Sequence, residues 1–256
     1  MQRIAEVFGP CDTTHLDVIT TSTGLCAIEP EISGAGSTPH AREVLLAPAD
    51  QSPAPLSQDL LEWLKHQPKG RIVYVGFGTM VRPTKQMLLA LWHGLREANV
   101  SALWALPASQ RAPLADLEQP ESFRLEEFAP QAALLMSGFI NCFVTHAGPG
   151  GVQEALLGGV PMLCIPFFWD QPYTASVVVR VGAGLRRSRR RLSPRQVCAD
   201  VRSLLADPRY AARAAEIGAR FRQLREARSQ SQWIDALFEV SAPATATPAG
   251  LLRRRS

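Results

Sequence analysis

From residue 71 onward the apolar and polar positions follow two alternating rhythms, one of strands and one of helices. Residues 71–77 form an apolar, β-branched run that closes at Gly78, and 84–98 then place apolar side chains at helical spacing. Buried strands are predicted at 102–106, 140–145 and 162–166, with a shorter one at 123–128. The helical period predicts a turn over 131–136, a helix over 151–157, and further helices over 174–181 and 194–206. Residues 210–240 carry Ala, Arg, Leu and Phe at core spacing and predict one or two long helices. Upstream, Leu60, Leu61 and Leu64 mark a helix over 56–66 with Ser57 as N-cap, after a Pro-rich stretch at 52–57. Residues 1–50 hold only isolated strand candidates, at 16–20 and 44–47.

Strands alternating with helices in this way imply βαβ units and an α/β fold: a Rossmann-like parallel sheet with helices on both faces. The expected organisation is a remnant of something larger over 1–50, a linker and helix over 51–70, the main domain over 71–240, and a disordered tail over 241–256 rich in Ala, Pro and Thr. In such sheets ligands bind beyond the C-terminal strand ends, so the strand-to-helix turns are where chemistry belongs.

Composition adds exclusions. The chain has 256 residues, 46% hydrophobic and 20% charged, as in ordinary soluble globular proteins. The formal charge of +4 is concentrated in one cluster (Arg186, Arg187, Arg189, Arg190, Arg191) and a tail (Arg253, Arg254, Arg255). No aromatic platform or nucleic-acid motif accompanies them, so they read as solvated charge. Five scattered cysteines without a C-x-x-C pair predict a reducing compartment, and Cys142 and Cys164 fall inside strand runs. No stretch reaches about 20 apolar residues and no signal pattern opens the chain, so a soluble, cytoplasmic protein is expected.

Three turns carry candidate chemistry. In Val75-Gly-Phe-Gly-Thr-Met80, two glycines after a strand allow close backbone approach, and Thr79 adds a hydroxyl; Val81 stands where a dinucleotide fingerprint needs its third glycine. In Phe143-Val-Thr-His-Ala-Gly-Pro-Gly-Gly-Val-Gln-Glu154, a strand runs into His146 and then glycines open a helix. Free backbone N–H groups at a positive helix end beside an imidazole suit a diphosphate, and Glu154, one turn in, is placed to accept from a ribose diol. In Ile165-Pro-Phe-Phe-Trp-Asp-Gln-Pro172, Asp170 and Gln171 offer an acceptor and a donor–acceptor for sugar hydroxyls; alone, Asp170 reads equally as a helix cap.

His146-Ala-Gly-Pro-Gly-Gly-Val-Gln-Glu154, followed sixteen residues after Glu154 by Asp170-Gln171, resembles the signature of the UDP-glycosyltransferase superfamily. Phe128-Ala-Pro-Gln131 sits where that signature opens and Gly78-Thr79 where its phosphate-side loop lies, and the resemblance spans about residues 15–240. It implies the C-terminal, donor-binding half of a GT-B glycosyltransferase using a UDP- or dTDP-sugar. By that resemblance Phe128 stacks on the nucleobase, the Ala129 backbone pairs with the base edge, and Gln131 lies near the ribose. His146 and the N–H groups around Gly148, Gly150 and Gly151 hold the diphosphate, Glu154 the ribose hydroxyls, and Asp170 with Gln171 the transferred sugar. The family often has Asn or Ser where this chain has Gly150 and Gly151, and commonly Trp where it has Phe128.

The implied reaction is inverting transfer to an acceptor hydroxyl, with main-chain dipoles in place of a metal and no other cofactor. The family's catalytic His belongs to an N-terminal domain that residues 1–50 resemble only at its end. His15 and His40 lie in the wrong context, His66 and His93 belong to helices, and no catalytic base is assigned. A βαβ unit alone needs about 30 or more residues, so the chain by itself is expected to transfer sugar poorly or not at all and to need a partner chain or self-association. The rival reading is a nucleotide-sugar-binding module inactive by itself. A sugar-nucleotide epimerase fits the 128–171 signature less well, and a serine hydrolase lacks G-x-S-x-G.

Overall fold

A computed structural model describes residues 55–227, with side chains to residue 223. The expectations for 1–50, for the linker before 55, for helix over 228–240 and for the tail over 241–256 lie outside the described residues, as do Cys11, Cys26, His15 and His40.

Within the described residues, α1 (Gln58–His66) leads into β1 (Ile72–Gly76), α2 (Lys85–Ala98), β2 (Ser101–Ala105), β3 (Phe123–Glu126) and α3 (Gln131–Met136). There follow β4 (Cys142–Thr145), α4 (Pro149–Leu157), β5 (Met162–Cys164), α5 (Gln171–Arg180), β6 (Gly184–Arg186), α6 (Pro194–Ala206) and α7 (Pro208–Ala227). The strands form one sheet in the order β3-β2-β1-β4-β5-β6, parallel at every pairing. The order reverses between β1 and β4, the place where doubly wound sheets bind ligands.

The sheet is buried on both sides because its strands are apolar at consecutive positions, not only at alternate ones. In β1, Ile72 and Tyr74 join the core beneath α1, α3, α4, α5 and α7, while Val73 and Val75 join the core beneath α2 and α6. Full burial of such a side chain contributes about 1.5–3 kcal/mol. Gly94 lets α2 and α6 approach closely, since a Cβ there would stand 2.6 Å from the Val197 Cβ.

Caps fix the helix starts. Thr84 accepts from the Met87 N–H at 3.3 Å, and Ser193 forms a capping box with Gln196 ahead of Pro194. Ser57 occupies the expected N-cap position, but its hydroxyl donates to Asp59 at 2.8 Å and makes no cap bond. The predicted strands and helices are present with boundaries shifted by a few residues. α4 begins at Pro149 instead of 151, and α5 begins at Gln171, three residues before the expected 174, because Pro172 at its first turn needs no N–H partner. Strand β6 was not expected, being three residues long.

Candidate functional site

The loops that leave β1, β2 and β3, with Glu154 of α4, meet at the strand-order reversal and enclose an open cleft of about 440 Å³. Six of the sequence-derived candidates line it: Gly78, Thr79, Phe128, Ala129, Gln131 and Glu154. Phe128 is 78% exposed at its rim, an apolar ring that other residues leave free to stack. Ala129 beside it is buried, and no other described residue hydrogen-bonds to its main chain.

The floor carries a polar chain. Gln131, first residue of α3, donates from Nε2 to Glu154 Oε2 of α4 at 2.7 Å. At 3.5 Å the Tyr74 hydroxyl reaches Gln131 Oε1 from β1. Two glycines make room for it: a Cβ on Gly76 would stand 2.9 Å from the Tyr74 hydroxyl, and one on Gly151 would stand 3.1 Å from Gln131 Nε2. Burial pushes the half-buried Glu154 carboxyl above the ordinary carboxylate range, and the Gln131 amide only partly offsets this. Burial, then the Glu154 charge, keeps the Tyr74 phenol protonated.

His146 follows β4 and lies against Gly78, beside the cleft. Its imidazole packs between two glycines: a Cβ on Gly78 would lie 3.2 Å from Nε2, and one on Gly148 only 2.5 Å away. Gly78 has φ +66, a conformation glycine adopts freely. Burial holds His146 below the usual histidine range, against the pull of the Gly76 backbone and the Asp170 charge. Its Nδ1 is buried and closes no hydrogen bond of ordinary geometry among the described residues.

Ala147, fully buried, takes φ +63 and donates its N–H to Thr145 Oγ1 at 3.2 Å, so the chain turns sharply into α4. Gly148 is the cap of α4 and Pro149 its first residue, which leaves the N–H groups of Gly150 and Gly151 at the open helix end. Around Gly150 a Cβ would meet nothing within 4 Å, so the position could carry a side chain.

The β5 loop approaches from the other side. Gln171 is buried, and its Oε1 accepts from the N–H groups of Phe167 and Phe168 at 2.9 and 3.2 Å. Its carbonyl therefore braces the loop, and only its Nε2 remains to reach a ligand. Asp170 is exposed and makes no side-chain cap bond, although it holds the cap position of α5. Trp169 before it has φ +55 and is 78% exposed. His146, Gly148, Gly150, Gly151, Asp170 and Gln171 do not line the cleft of Phe128 and Glu154; His146 adjoins it against Gly78, and the Asp170 charge acts on His146.

Sequence reasoning missed Tyr74 and Glu127, which also line the cleft. Tyr74 sits in the middle of an unbroken apolar strand and reads as core; its hydroxyl, two residues before the end of β1, was the available signal. Glu127 braces the neighbouring loop by accepting from the Ala108 N–H at 2.6 Å.

A family model for UDP-glucoronosyl and UDP-glucosyl transferase matches residues 48–220. Anthocyanidin 3-O-glucosyltransferase 2 of Fragaria ananassa is 36% identical over 155 residues, which is 59% of this chain and 31% of that enzyme. The UDP-glycosyltransferase 83A1 of Arabidopsis thaliana is 33% identical over 144 residues, 55% of this chain and 30% of its own length. The solved structure of a UDP-glucose: anthocyanidin 3-O-glucosyltransferase in complex with UDP superposes with a TM-score of 0.68 at 25% identity, covering 77% of this chain and 47% of that one. The chain thus spans less than half the length of these relatives.

Proposed function

Because the chain belongs to the UDP-glucoronosyl and UDP-glucosyl transferase family, we propose that its cleft binds a UDP-sugar as donor for inverting transfer to an acceptor hydroxyl. The observation that carries this reading is the convergence at one strand-order reversal of Phe128, the Gln131–Glu154 pair and His146 beside an open helix end. Phe128 stacks on the base, with the Ala129 main chain at the base edge. Glu154 accepts from the ribose diol, and Gln131 holds its carboxylate in place. Thr79, His146 and the N–H groups at Gly150 and Gly151 receive the diphosphate, where the helix dipole stabilises the charge of the leaving group. Asp170 and the free amide of Gln171 take the sugar hydroxyls. UDP is preferred to dTDP because the superposed relative was solved with UDP. A reducing, cytoplasmic setting suits the free, buried thiols of Cys142, Cys164 and Cys198.

UDP is expected to raise the melting temperature of the purified chain, since a ligand at a hundred times its Kd adds about 2.7 kcal/mol to the native state. His146→Ala should weaken UDP binding by about 1–3 kcal/mol, the cost of leaving a charged group unpaired. Equal affinity of mutant and parent by calorimetry would remove His146 from the phosphate site.

Glu154→Gln tests the ribose assignment. The amide keeps the size but turns one acceptor oxygen into a donor, so UDP affinity should fall by about 1–2 kcal/mol while pyrophosphate, which lacks a ribose, binds as before. Parallel losses for both ligands would make Glu154 a structural partner of Gln131 and nothing more.

A second reading is a nucleotide-sugar-binding module inactive by itself, since among the described residues no histidine lines the cleft. Calorimetry with UDP-glucose, run beside a transfer assay, separates the two. Binding without turnover supports the module, and turnover by the chain alone supports the complete enzyme.

A further inference from the structure

The loops after β5 and β6 enclose a second recess of about 430 Å³, apart from the cleft lined by Phe128 and Glu154. Its apolar wall is Pro166, Phe167 and Pro172, and its rim carries Arg186, Arg187, Arg189 and Arg190. These are four of the five arginines in the cluster that the sequence offered only as solvated charge.

Arg186, Arg189 and Arg190 are exposed, as solvated charge requires, and they also line a concave recess. Elsewhere in the domain Arg71, Arg202 and Arg222 donate to main-chain carbonyls, while Arg111, Arg124, Arg209 and Arg213 each meet a carboxylate. Here Arg187 alone does so, gripping the buried Asp200 through Nε and Nη2 at 2.5 Å each. Arg186 donates to a neutral hydroxyl, Ser176 Oγ, at 2.7 Å. Arg189 lies over the Phe167 ring at 5.3 Å from its centroid. No carboxylate among the described residues pairs with Arg186, Arg189 or Arg190. Two of these cations are therefore held in place by groups that do not neutralise them, around a concave space with a ring at its wall. Like charges gathered this closely repel, and an oxyanion between them relieves the repulsion while gaining charge-assisted hydrogen bonds.

We propose that this recess is a binding site for a carboxylate, phosphate or sulfate group carried on a ligand, held by Arg186, Arg189 and Arg190 over Phe167. It opens at the same strand ends as the loop that bears Asp170, so the oxyanion belongs either to the transferred sugar or to the acceptor. Only that choice of source rests on the nucleotide-sugar reading; the site itself does not.

The test uses the full chain with sulfate as probe, at ionic strength held constant with chloride, and follows the side-chain N–H signals of arginine by NMR. Saturable shifts of the Arg186 and Arg190 signals are expected. The Arg186→Gln/Arg190→Gln double variant, altered only at exposed positions, should bind sulfate at least about tenfold more weakly, as losing charged hydrogen bonds predicts, with an unchanged melting temperature. Non-saturating shifts, or equal affinity of variant and parent, would overturn the proposal. Titration with UDP-glucuronate and UDP-glucose then assigns the source. Selective loss of the former in the variant places the oxyanion on the donor sugar, whereas no loss of either, with sulfate binding gone, places it on the acceptor. Failure of every UDP compound to bind would sink the proposed function and leave the sulfate result standing.

Discussion

Replacing Gly148 with valine is expected to abolish measurable UDP binding while leaving the fold intact. The backbone there, φ −64 and ψ 141, is one that valine adopts readily, so the folded state incurs no torsional strain. The space is the difficulty. A Cβ would stand 2.5 Å from His146 Nε2, closer than such atoms approach, so the ring must shift. The imidazole is driven out of its slot, and the valine methyls crowd the helix end where the diphosphate would sit. Losing the charged contact and overpacking the cradle together cost about 3 kcal/mol or more, a loss of roughly a hundredfold or greater in affinity. Calorimetry with UDP measures this, and a thermal melt without ligand checks that the domain still folds. Gly150→Ala is the matched control, because its Cβ meets nothing within 4 Å. If Gly148→Val binds UDP as tightly as Gly150→Ala does, the nucleotide does not use this turn.

Gly158→Ala is expected to be the most damaging single change to stability. The Cβ would fall 2.0 Å from the Leu135 carbonyl oxygen and 2.7 Å from its carbon. These are backbone atoms, so no rotamer change relieves the clash; α3 and α4 must separate. Native φ is −81, so torsion contributes nothing and the whole effect is steric. A loss of about 3 kcal/mol or more is expected, at the upper end for overpacking. The same separation would stretch the Gln131–Glu154 bond, which joins α3 to α4 at 2.7 Å, so any UDP affinity should fall with stability. Denaturant titration gives the first quantity. A midpoint unchanged from the parent would mean that the helices slide apart without cost, and that the close approach is incidental.

Most of the sheet was legible because a doubly covered strand must be apolar at consecutive positions, and β1 and β4 are. The glycine-rich turns were legible for a related reason: a residue without a Cβ leaves His146 its place against Gly148 and eases the fit of Gln131 beside Gly151. Strand β6 escaped notice because Gly184–Arg186 has a single buried residue and two arginine neighbours downstream, so it carries no period of its own. It exists because Gly184 lies against β5, with a Cβ position 2.2 Å from the Met162 carbonyl oxygen. The bracing role of Gln171 was also hidden, since a carboxamide facing a loop amide leaves no trace in spacing. The arginine cluster was visible as composition, but only the paired and unpaired contacts around it separate a lined recess from loose surface charge.

The reversal of strand order between β1 and β4 makes those two strands a seam between halves of the sheet. One half supplies Phe128 and Gln131 from beyond β3, and the other supplies His146 and Glu154 from beyond β4. In the free protein the side chains of Gln131 and Glu154 already span the seam with a single bond. A nucleotide bound across it would act as a staple between two half-sheets, suppressing the sub-global opening that parts them. Its grip would then register as slower amide exchange along β1 and β4, far more than in the edge strands β3 and β6.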